Sequence, residues 1–106
     1  MPASDVKLKP IPVELDKKRN LKFDMNAYAE LEEKFGTVQA ALDLLNKQQF
    51  KATRFLLWAG LQHEDENLTE HQVGAMVSPA DLAHISEPLM QAIMDSLPKE
   101  DDSKNK

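Results

Sequence analysis

The apolar positions of this chain follow two different periods. Between residues 11 and 24 they alternate with polar ones: Ile11, Val13 and Leu15, then Leu21 and Phe23, with Asp16 to Arg19 separating the runs. A period of two marks a β-hairpin with one apolar face. Pro10 and Pro12 lack their N–H groups on the same side of the first strand, so that side must be an outer edge. From Asp24 onward the period lengthens to that of a helix. Asp24 suits an N-cap, and Phe23 and Tyr28 flank it at hydrophobic-staple spacing. Tyr28, Leu31 and Phe35 then give a first helix its inner face, and Gly36 stands where a helix ends in a left-handed conformation. Thr37 can cap a second, shorter helix carrying Val38, Ala41, Leu42 and Leu45 at i, i+3, i+4 and i+7.

After a turn at Asn46-Lys47 comes the most apolar stretch, Phe50 to Leu61. On a helical wheel Phe50, Leu57, Trp58 and Leu61 share one side, and Ala52, Phe55, Leu56 and Ala59 cover the other. A helix apolar nearly all round is buried by neighbours on several sides, so this one is expected at the centre of the fold, with Trp58 in the core. A polar loop, His63 to Asn67, leads to Thr69 and Gln72 at capping-box spacing, inside Leu68 and Val73 at staple spacing. That short fourth helix should end near Val77. Ser78-Pro79-Ala80-Asp81 reads as a new helix start, and Pro88 predicts a break or kink near Ser86 before a last helix lined by Leu89, Ile93 and Leu97. The fold class is therefore α+β, mainly α: an N-terminal β-hairpin packed on a small bundle of about five helices. Residues 8–97 are expected to form one domain, between a flexible N-terminus (1–7) and a disordered polar tail (98–106). Lys99 to Lys106 contains no apolar residue to bury.

Composition narrows the function classes. The chain has 106 residues and a formal charge of −5, which disfavours nucleic acid as main partner, since phosphate contacts need clustered Lys and Arg. It has no cysteine, which excludes disulfides and thiolate metal sites. No apolar run approaches the roughly 20 residues of a membrane span, and the N-terminus has no secretory signal pattern. The three glycines, at 36, 60 and 74, are isolated, so no phosphate-cradling loop is present. His63, His71 and His84 have carboxylates nearby but no recognised ligand spacing. Neither a catalytic set, a cofactor, a metal nor a small-molecule substrate is expected, and the protein reads as a non-enzyme. Two surfaces are candidates for binding a partner. One is the outer edge of the second strand, Asn20 to Asp24, with Leu21, Lys22 and Phe23, which carries no proline to block strand addition. The other is Met90 and Met94, one turn apart on the last helix, as an adaptable apolar surface.

The order of these elements carries a resemblance. A hairpin built from Ile11-Pro12-Val13-Glu14-Leu15-Asp16 and Leu21-Lys22-Phe23-Asp24-Met25-Asn26 runs into the Glu-rich helix Ala27-Tyr28-Ala29-Glu30-Leu31-Glu32-Glu33. Gly36 follows, then Arg54-Phe55-Leu56-Leu57-Trp58-Ala59-Gly60-Leu61, Leu68-Thr69 and Val73-Gly74. Over residues 8 to 97 this resembles the small tail assembly chaperones of long-tailed bacteriophages and related prophages. The resemblance implies a non-enzymatic protein of the bacterial host's cytoplasm. Its partner would be the long helical tape measure protein, kept soluble while tail tube protein polymerises around it, and self-association as a homo-oligomer is implied as well. The rival reading is a small helical DNA-binding or regulatory protein using residues 68–85 as a helix-turn-helix-like unit. Its recognition helix, Ala80 to Ile85, offers no Arg, Lys, Asn or Gln to bases.

Overall fold

The computed structural model describes residues 10–97, so the two ends expected to be flexible, 1–7 and 98–106, lie outside the described residues. The first period-two run forms β1 (Ile11–Glu14), but its partner β2 spans Lys18–Leu21, taking in Lys18 and Arg19 of the expected separator and ending before Phe23. The two pair antiparallel with Ile11 opposite Leu21 and Pro12 opposite Asn20. Pairs in such a ladder alternate between bonded and non-bonded, and Pro12 without an N–H fits only the non-bonded kind. The backbone groups of Asn20 therefore face away from β1. Arg19 closes the turn with a bidentate pair, donating from Nε to Asp16 Oδ1 at 2.8 Å and from Nη2 to Oδ2 at 3.0 Å. The guanidinium holds the Asp16 carboxyl at about 2, so the pair is complete above the ordinary carboxylate range and is lost only as pH falls towards that value.

Five helices follow: α1 (Met25–Phe35), α2 (Val38–Asn46), α3 (Phe50–Leu61), α4 (Glu70–Gly74) and α5 (Leu82–Ser96), the last preceded by a 3-10 turn over Pro79–Asp81. Their starts are fixed locally. Asp24 Oδ1 accepts from the Ala27 N–H at 3.0 Å, Thr37 Oγ1 from Ala40 at 3.0 Å, and Ser78 Oγ from Ala80 at 3.1 Å. Thr69 and Gln72 form a reciprocal capping box. Gly36 ends α1 at φ +92° and donates back to Glu32 O. Helix α3 is the centre: eight of its residues are buried, and it touches β2, α1, α2, α4 and α5. The Tyr28 hydroxyl ties α1 to α5 by donating to the Ile93 carbonyl, and burial raises its pKa above the ordinary phenol range.

Two sequence expectations need correction. Helix α5 runs unbroken through Pro88, so of the expected break or kink near Ser86 the break does not occur. A proline inside a helix removes one hydrogen bond and costs about 3 kcal/mol. Here Ile85, Leu89, Ala92 and Ile93 form one buried stripe spanning the proline, and a break would turn one half of it out of the core. The second correction concerns the outer edge of β2, which is not open. The Lys22 N–H donates to the Gly60 carbonyl at 2.9 Å, and His63 Nε2 meets the Asn20 carbonyl at 2.7 Å. The C-terminal end of α3 thus occupies the edge offered for strand addition, while Leu21 and Phe23 are core residues.

The α2–α3 turn holds a feature that the sequence concealed. Gln48 adopts φ +58°, with its N–H on Leu45 O and the next N–H, from Gln49, on Leu44 O. This is a Schellman termination without its usual glycine. A left-handed non-glycine residue is strained by about 1–2 kcal/mol, partly offset for glycine by greater freedom in the unfolded chain. Gln48→Gly is expected to stabilise by about 0.5–1 kcal/mol, seen as a higher urea midpoint at unchanged m-value.

Candidate functional site

Helix α3 is not covered all round. Its first turns, Phe50, Thr53, Arg54 and Leu57, face α4 and the start of α5 across an apolar groove of about 370 Å³. That falls in the range of roughly 300–1,000 Å³ typical of binding pockets. Val73, fully buried, lies at its base, and Leu82 and Ile85 form the far wall. The groove exists because α4 spans only Glu70–Gly74, too short to shield the whole of α3. Phe50 stands at the rim with 62% of its surface exposed, although the wheel groups it with the buried Leu57 and Leu61.

One charge belongs to this apolar surface. Arg54 lies beside Gly74, where a Cβ would sit 3.1 Å from its Cδ, so glycine lets the arginine stem lie flat against α4. Its Nε is buried yet makes no hydrogen bond; the nearest carboxylate oxygen, Glu70 Oε1, is 3.5 Å away. The two side chains form a partly exposed ion pair, so Glu70 offsets the charge of Arg54 at this surface. Thr53, by contrast, is satisfied, its hydroxyl donating to Gln49 O at 2.9 Å.

The residues singled out from sequence do not come together here. Leu21 and Phe23 are buried under α3, and Lys22 is half-buried with its N–H used. Met90 is half-buried beside Leu45, Gln48 and Glu87, in a shallower depression between α2 and α5. Met94 is 52% exposed and lines neither depression. The histidines are dispersed: His63 on the β2 edge, His71 at the apolar groove, and His84 near Glu14 and Asp81. Among the described residues no group of three or more His, Asp or Glu is placed to hold a metal ion. Nor is any helix among them long and apolar enough to cross a membrane. Comparison with known protein families, curated proteins and solved structures gives no match. Phe50 and Arg54 were missed as site residues. The signal was Arg54 itself, a cation one turn after Phe50 inside the most apolar helix of the chain.

Proposed function

We propose that this protein is a tail assembly chaperone of the long-tailed phage and prophage kind. In this reading it is a non-enzymatic cytoplasmic protein of the bacterial host, and it holds the tape measure protein soluble while the tail tube forms around it. The carrying observation is the apolar groove with Phe50 exposed at its rim, a surface suited to apolar helical segments of another chain. The order of hairpin, Glu-rich helix and central apolar helix supports the same reading. The DNA-binding alternative gains no comparable support, because residues 68–85 hold no Lys or Arg and Ile85 is buried.

The test is co-expression with the tape measure protein encoded in the same gene cluster. The tape measure protein is expected to be insoluble alone and to become soluble and co-purify with this protein. A tape measure protein that stays equally insoluble, with no complex on size-exclusion chromatography, would sink the proposal.

A further inference from the structure

The segment that carries α4 is attached differently from the rest of the bundle. Its backbone bonds close locally: the Leu68 N–H donates to Asp65 O, Val73 to Thr69 O, Ala75 to His71 O and Gln72 O, and Met76 to Val73 O. The capping box of Thr69 and Gln72 is internal as well. Its hold on the remainder is narrow. Helix α4 packs chiefly on α3, whereas α1, α2 and α5 each pack against at least two other elements. From residue 66 to 78 the buried side chains are Leu68 and Val73, with Met76 and Val77 half-buried against the same core. The side-chain anchors are the Trp58 and Gln62 donors on the Leu68 carbonyl, at 2.8 and 3.2 Å, and the Arg54–Glu70 pair at 3.5 Å. Both ends of the segment are exposed, at Glu66-Asn67 and at Ser78-Pro79.

We infer that residues 66–78 are a hinged flap, which lifts off α3 as one unit while the hairpin and the other helices stay folded, and whose opening lengthens the groove along α3. Units that open below the global unfolding free energy are those with few buried apolar contacts and little cross-bonding to their surroundings. Because the flap's backbone bonds are local, lifting it breaks none of the backbone bonds that join the other elements. Five helical residues are too few to persist away from α3, so opening frees the flap's own amides. Removing Val73 takes away the base of the groove. It bares Thr53 and Leu57, which are 2% and 1% exposed with the flap down.

Hydrogen exchange of the full-length protein, followed by NMR in low concentrations of urea, tests this. The Leu68, Ala75 and Met76 amides are expected to exchange about tenfold or more faster than those of Leu56 and Leu57 in α3. They should share one urea slope, smaller than that of global unfolding but not zero. Two mild core truncations separate flap opening from global unfolding. Leu31→Val, on α1, should speed the α3 amides about fivefold and leave the flap amides at the parent's rates. Val73→Ala should speed all three flap amides together, by roughly tenfold or more. The chain has no cysteine, so Thr53→Cys puts a single thiol on the covered face of α3. Its labelling by an aromatic disulfide reagent should rise with Val73→Ala by the same factor as the flap amides and ignore Leu31→Val. Flap amides that respond to Leu31→Val as the α3 amides do overturn the inference, since the segment would then open only by global unfolding. A zero urea slope overturns it too, because it marks fraying of single bonds. So does labelling of Thr53→Cys at a rate that Val73→Ala leaves unchanged, since the flap would not be its cover.

Discussion

Gly60→Leu is expected to detach the hairpin from the helices and to lower stability by at least about 3 kcal/mol. The reason is close approach. A Cβ at position 60 would lie 2.9 Å from Leu21 Cδ2, 2.9 Å from Phe23 Cε1 and 3.1 Å from Phe23 Cζ. Those are ends of side chains, but Leu21 and Phe23 are almost completely buried, so neither has room to swing away. The same glycine's carbonyl accepts the Lys22 N–H, and pushing the strand outward also stretches that bond. Gly60→Ala provides the graded case. Overpacking costs about 1–3 kcal/mol, and alanine recovers about 1 kcal/mol in helix propensity. A net loss of about 1 kcal/mol is expected, read from urea unfolding. If Gly60→Leu melted like the parent, the hairpin would not be held through this contact.

Trp58→Ala comes second, with an expected loss of about 3 kcal/mol, the low end for a Trp truncation because the ring is only half-buried. Against a total of roughly 5–15 kcal/mol for a domain of this kind, that is a large share. The ring packs on Phe55 with centroids 5.2 Å apart. Its Nε1–H donates to the Leu68 carbonyl at 2.8 Å, where Gln62 Nε2 donates as well at 3.2 Å. Trp58 therefore anchors the polar loop that sets down α4, whose Val73 forms the base of the groove. Trp58→Phe keeps the ring contact but leaves the Leu68 carbonyl to Gln62 alone, and about 1 kcal/mol is expected to be lost. Chemical unfolding of both variants separates ring from hydrogen bond; equal losses would mean that the ring contributes little.

What was readable in the sequence is what depends on near neighbours in the chain. Caps bond two or three residues ahead, staples span five, and strand phase repeats every second residue, so Asp24, Thr37, Thr69 and Ser78 each declared a helix start. Pro88 shows the limit of a local rule: its missing N–H is local, but the buried stripe from Ile85 to Ile93 that overrides it belongs to the whole fold. The β2 edge looked open because its cover comes from Gly60 and His63, far along the chain. A helical wheel likewise shows which residues share a side but not where a neighbouring helix stops. Phe50 was thus grouped with buried residues, while the five-residue α4 leaves it bare. Gln48 occupies a glycine's conformation, and no residue pattern announces that.

The seat of the hairpin against Gly60 also has a consequence in time. The hairpin is made first, but the residue that closes its second strand lies 39 positions after Leu21. At a synthesis rate of roughly 5–20 residues per second, the ribosome needs roughly 2–8 seconds to reach it. A two-stranded hairpin is marginal by itself in water, so during that interval Leu21 and Phe23 have no lasting shelter on the nascent chain. Docking of the N-terminal strands is therefore a late event in biogenesis, gated by completion of α3 rather than by the hairpin's own turn.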